Sequence, residues 1–72
     1  MSSNPSTIAK IVGLRVRKFR EARGWSQEVL SERAGLHRAY IGQIERAEKV
    51  IGITNLAKIA KALRVSMARL LE

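Results

Sequence analysis

Residues 37 to 46 read HRAYIGQIER. Ile41 and Ile44 are three apart and share one face of a helix. At about 100° per residue, the face opposite Ile41 collects Ala39, Gly42, Gln43 and Arg46, with Arg38 and Tyr40 on its flanks. No acid lies on it. Arginine and glutamine make bidentate pairs with guanine and adenine edges in the major groove, and a small apolar side chain can pack on the thymine methyl. Arg38, Gln43 and Arg46 are therefore base-reading candidates, with Ala39 beside them. Gly42 offers no side chain to a base; it would let the backbone approach closely, at a helix-propensity cost of about 1 kcal/mol.

Other chemistries find little support. The chain has one histidine, no cysteine and six acids. It contains no paired carboxylates, Ser-His-Asp set, HExxH motif or glycine-rich phosphate loop. His37, without a nucleophile or further ligands, reads as a surface residue at a helix start. The sequence thus argues against an enzyme and implies no metal or cofactor. The excess of 14 Lys and Arg over six acids, a formal charge of +8, favours an anionic partner. No apolar run approaches the ~20 residues of a membrane span, and residues 1–7 lack the basic-then-apolar order of a signal peptide. A basic membrane-surface peptide would suit the charge but not a chain with several helices and well-placed turns. At 72 residues the chain allows one domain, which buries only about 60% of its unfolded surface. A partner subunit would supply further stability, because no disulfide staples the chain.

The elements that position this face follow in order. Residues 1–7 (MSSNPST) read as a flexible segment ahead of one domain over 8–72, with Thr7 as the expected helix cap. The stripe Ile8, Val12, Val16 and Phe19, extended by Ala22, predicts a first helix ending at Gly24, with a solvated basic face. Trp25 reads as a plug over the corner, and Ser26 as the N-cap of a second helix, Gln27 to Ala34. Gly35 suits a left-handed helix end, Leu36 turns inward, and a third helix runs from about His37 to Arg46. Two short helices around a glycine turn, the second presenting the face described above, form a helix-turn-helix. Lys49 is placed to meet a phosphate beyond that helix. A fourth helix spans roughly Thr54 to Leu63, with Leu56, Ile59, Ala60 and Leu63 on one face. A fifth, capped by Ser66, covers Met67 to Leu71. Val50, Ile51, Ile53, Met67, Leu70 and Leu71 are more apolar than their short segments need, and make a candidate dimer patch.

The string GWSQEVLSERAGLHRAYIGQIER resembles the lambda-repressor-like (Xre/Cro-type) helix-turn-helix family, and is most similar to the controller proteins of restriction–modification systems. The resemblance covers about Ile11 to Leu71. It implies an all-α, five-helix DNA-binding domain in which Gln27 bonds the DNA backbone and Asn55 meets it near the start of the fourth helix. It also implies an ion pair between Glu45 and Arg20 that orients a backbone-contacting arginine. The family commonly has alanine where Ser31 stands, serine where Gly42 stands and glycine where Arg64 stands. Ser31 then needs a backbone carbonyl for its hydroxyl, and Arg64 would be strained in a left-handed conformation.

Taken together, these readings predict Ser26, Gln27, Tyr40, Lys49 and Asn55 on the DNA backbone and a homodimer on a near-palindromic operator of double-stranded DNA. The two recognition helices would lie about one turn, roughly 34 Å, apart. The implied function is transcription regulation in a bacterial or phage-encoded cytoplasmic protein associated with the nucleoid, with RNA polymerase as a further partner if it activates. A general phage-type or chromosomal repressor is the alternative. An antitoxin-like interaction module is another, although few residues past the fifth helix are left to wrap a toxin.

Overall fold

The structure, a computed structural model, describes residues 4–72. Helix α1 spans Pro5–Ala22, α2 Gln27–Ala34, α3 Arg38–Glu45 and α4 Ile53–Leu63. Met67–Leu70 form a single 3₁₀ turn. The described residues therefore hold four α-helices rather than the expected five. Four residues cannot build a regular α-helical ladder, and the segment closes instead on short bonds, Arg69 N–H to the Ser66 carbonyl and Leu71 N–H to that of Ala68.

α1 begins earlier than the composition suggested. Asn4, not Thr7, is its cap: the Asn4 Oδ1 accepts from the Thr7 amide at 2.8 Å. Proline at the first helical position lacks only an N–H that has no partner in the helix. The expected flexible segment therefore does not reach Thr7; residues 1–3 lie outside the described ones. At α2 the Ser26 hydroxyl accepts from the Val29 amide at 3.1 Å. His37, a poor cap by type, nevertheless accepts from the Ala39 amide through Nδ1 at 3.3 Å.

The helices enclose one core of Val12, Val16, Leu30, Ala34, Ile41, Ile44, Leu56, Ile59, Ala60, Leu63 and Leu70. Leu70 is fully buried, so it belongs to this core and cannot join the dimer patch. It plugs the base of the domain because the 3₁₀ turn packs on both α1 and α4. Ile51 is half-buried against the same core, whereas Val50, Ile53, Met67 and Leu71 are exposed. Ser31 is buried at the α2 crossing, and its hydroxyl donates to the Glu28 carbonyl at 2.7 Å.

Gly13 sets how closely α1 lies on the end of α3. A Cβ there would fall 2.6 Å from the Ile44 carbonyl oxygen and 2.8 Å from that of Glu45. Only glycine permits this approach, which brings Arg20, two turns further along α1, within reach of Glu45.

All four α-helices end on the same pair of backbone bonds. A residue one or two positions past each helix bonds back three positions and its successor five: Gly24 to Glu21 and Trp25 to Arg20, Gly35 to Glu32 and Leu36 to Ser31, Ala47 to Ile44 and Glu48 to Gln43, Arg64 to Lys61 and Val65 to Ala60. This closure requires a left-handed residue. Gly24 and Gly35 adopt it with φ of 69°, and Ala47 and Arg64 with φ of 58° and 59°. The successors Trp25, Leu36 and Val65 pack on the core. Glu48 does not; it is exposed.

Candidate nucleic-acid interface

The site is built on α3, the start of α2 and the start of α4. Beneath it lies the pair Arg20–Glu45, whose side chains are only 11% and 4% exposed. Arg20 Nε donates to Glu45 Oε2 at 2.7 Å and Nη2 to Oε1 at 2.9 Å. The third nitrogen, Nη1, donates to the Trp25 carbonyl at 2.7 Å. The hydrogen bonds that Arg20 donates to Glu45 raise the Arg20 pKa above its ordinary value, against burial, which lowers it. A bidentate, fully hydrogen-bonded geometry is what a buried pair needs to offset its desolvation.

The resemblance implied that this pair orients a backbone-contacting arginine. In the structure it holds Gln27 instead: Gln27 Nε2 donates to Glu45 Oε1 at 3.1 Å. The amide nitrogen keeps a second hydrogen for a phosphate. Arg46, at the end of α3, bonds Glu48. Gly42 is buried beneath these groups rather than open to a ligand; a Cβ there would lie 3.0 Å from Arg46 Nη1 and 3.4 Å from Gln27 Oε1.

The expected base readers are all on α3 or its end. Arg38, Ala39 and Arg46 are exposed and Gln43 is half-buried. Two of them already have carboxylate partners. Arg38 Nη1 donates to Glu28 Oε2 at 3.1 Å. Arg46 donates through Nε to Glu48 Oε2 at 2.9 Å and through Nη2 to Oε1 at 3.2 Å. Those bonds raise the pKa of Arg46 and hold the Glu48 carboxyl below its ordinary value. A lowered carboxyl stays ionised throughout the neutral range. Its pair with Arg46 loosens only as pH falls through the lowered value.

Of the expected backbone contacts, Tyr40 and Asn55 are brought together across α3 and α4. Asn55 Nδ2 donates to Tyr40 Oη at 3.2 Å, which leaves the tyrosine hydroxyl hydrogen free for a phosphate oxygen. Ser26, Gln27, Glu28 and Arg38 line one open hollow with Arg20. Lys49 is exposed past the end of α3. A second hollow, about 630 Å³ between α2 and α4, is lined by Arg33, Lys58, Lys61 and Arg64 among others and has no residue of α3. Among the described residues no group of His, Cys, Asp and Glu could hold a metal ion.

Sequence reasoning missed Glu28 and Glu48 as partners of Arg38 and Arg46. Glu28 and Arg38 are ten residues apart on different helices, with no local pattern linking them. Glu48 reaches Arg46 through the left-handed turn at Ala47, which alanine does not announce.

Two short helices around a left-handed glycine, the second exposing arginine and glutamine beside hydroxyl and amide donors, define an all-α helix-turn-helix protein. Residues 16–70 match the helix-turn-helix family HTH_3, and the chain belongs to that family. It is 44% identical to Control protein C.SmaI of Serratia marcescens over 89% of this chain and 76% of that protein. Its fold is similar to the crystal structure of the restriction-modification controller protein C.AhdI from Aeromonas hydrophila. That match has a TM-score of 0.83 and 37% identity, covering 86% of this chain and 94% of the other. It also superposes on the biofilm master regulator SinR in complex with DNA, with a TM-score of 0.81 and 34% identity over 85% of this chain and 98% of that one.

Proposed function

We propose that this protein is a sequence-specific DNA-binding transcriptional regulator of the restriction–modification controller type, a binding module rather than an enzyme. The observation that carries the reading is the exposed α3 face of Arg38, Ala39, Gln43 and Arg46, flanked by free donors on Gln27, Tyr40 and Asn55. Its position is held by the buried Arg20–Glu45 pair. Arg38, Gln43 and Arg46 read base edges and Ala39 meets a thymine methyl. Ser26, Gln27, Tyr40, Lys49 and Asn55 grip the backbone and fix the register. The relatives named as control or controller proteins favour this over a general repressor.

The protein acts as a homodimer through Val50, Ile53, Met67 and Leu71, exposed apolar side chains flanked by half-buried Ile51. A two-fold axis makes the operator a near-palindrome with half-sites about 34 Å apart. Such a regulator works in the cytoplasm on the nucleoid, and contact with RNA polymerase belongs to its activating mode. Among the described residues no helix is long and apolar enough to cross a membrane.

Selection of bound fragments from random duplex DNA at physiological salt, with the mass of the complex recorded, tests the reading. Enrichment of a short palindrome by a dimer is the expected result. Weak, strongly salt-dependent binding with no enriched sequence would overturn it, because a +8 chain holds any DNA when salt is low.

A further inference from the structure

Glu48 stands apart from its counterparts at the other helix ends. The residue after the left-handed turn is apolar and packed on the core at Trp25, Leu36 and Val65. At the end of α3 that position carries a carboxylate, turned outward and bonded through both oxygens to Arg46. The backbone does not need that side chain, since the closing bond runs from the Glu48 amide to the Gln43 carbonyl. The turn is also made without glycine, with Ala47 at a φ of 58°. The result is a fork-to-fork pair of exposed side chains on the reading face, with Arg46 lying over Gly42.

We propose that Glu48 is a specificity-determining residue that withholds Arg46 from the phosphate backbone and yields it only to a base edge offering two acceptors. This rests on the DNA-binding reading above. On DNA of the wrong sequence, Arg46 stays with Glu48 as a neutral pair and adds nothing to the phosphate contacts. On the operator, guanine O6 and N7 replace the two carboxylate oxygens with matched geometry. The exchange leaves Glu48 facing a polyanion, and a single acceptor does not compensate for that. Discrimination arises because the cation is masked everywhere except at the right base.

The test compares wild type, Glu48→Gln, Arg46→Ala and the double variant on the selected operator and on a scrambled duplex, over a range of salt. Unmasking Arg46 in Glu48→Gln adds one phosphate contact on scrambled DNA. The slope of log K against log salt there should steepen by about 0.9, with binding tighter by roughly fivefold near physiological salt. On the operator, where Arg46 already sits on a base, Glu48→Gln adds no phosphate contact and relieves only the repulsion of the displaced carboxylate, so the slope steepens less than on scrambled DNA. With Arg46→Ala in place, Glu48→Gln produces no differential between the two duplexes. Glu48→Asp restores part of the masking. Equal changes of slope on both duplexes, or a differential that persists without Arg46, would overturn the proposal and leave Glu48 a general repulsive charge. If wild type selects no operator at all, the DNA-binding reading fails first and the proposal with it. Circular dichroism confirms folding; should Glu48→Gln unfold, Glu48→Ala takes its place with the same expected slopes.

Discussion

Glu45 is the side chain on which the most geometry depends. One of its oxygens takes hydrogen bonds from both Arg20 and Gln27, and the other from Arg20 again. The carboxylate thus ties α1 to the end of α3 and holds the Gln27 amide at the same time. Removing one partner of a buried ion pair leaves the other charged and unsatisfied, which costs about 3–5 kcal/mol. A domain of this size has a total stability of only about 4–11 kcal/mol at typical per-residue values. Arg20→Ala should therefore lower the urea midpoint severely and leave the protein partly unfolded at 37 °C. A midpoint within error of wild type would show that the pair contributes little beyond position. Its partner residues were available to the sequence only through family resemblance, since twenty-five positions separate them and no local rule links them. What the pair orients was not available even so, because that depends on which side chain of α2 reaches back across α3.

At the scale of elements, the chain shows which structural signals sequence carries well. Gly35 announced the left-handed turn of the helix-turn-helix, and the spacing of Ile41 and Ile44 announced the buried face of α3. The start of α1 was written in the sequence too. Asn4-Pro5 is a cap followed by a first-turn proline, but a polar, proline-containing stretch also reads as a loose end, and composition outweighed the local motif. Ala47 gave no sign of its left-handed turn, because what stabilises it is the pair of backbone bonds it completes. The 3₁₀ turn read as a helix because Met67 to Leu71 has the apolar content of one. Arg64 was the informative departure: it holds a left-handed φ of 59° where glycine would be unstrained. The left-handed penalty is about 1–2 kcal/mol, partly offset in a glycine variant by the greater freedom of its unfolded chain. Arg64→Gly should raise the thermal midpoint by a few degrees, on the scale of about 4–8 °C per kcal/mol for a domain this small. A lowered midpoint would mean that the Arg64 side chain contributes more than its backbone strain costs.

For the whole molecule, the proposed dimer has to be built from what one protomer leaves exposed. The radius of gyration, 11.0 Å, is that of an ordinary compact chain of this length, so one protomer already closes its own core. Val50 and Ile53, 66% and 73% exposed, are left outside that core. Ile53 opens α4, where an acid is favoured by the helix dipole, so Ile53→Asp should keep the protomer helical while disrupting pairing. Sedimentation at micromolar concentration should report a dimer for wild type and a monomer for the variant. A variant that sediments like wild type would remove this patch from the interface.

If α3 reads sequence, the loss of Arg38 must show it. Its guanidinium is exposed on that helix and bonds Glu28 on the surface. The measurement is the fragment selection repeated with Arg38→Ala beside wild type. The expected result is the same palindrome with one base position relaxed in each half-site, and a loss of about 1–3 kcal/mol on the wild-type operator. An unchanged consensus bound with unchanged affinity would contradict it and move the reading face off α3.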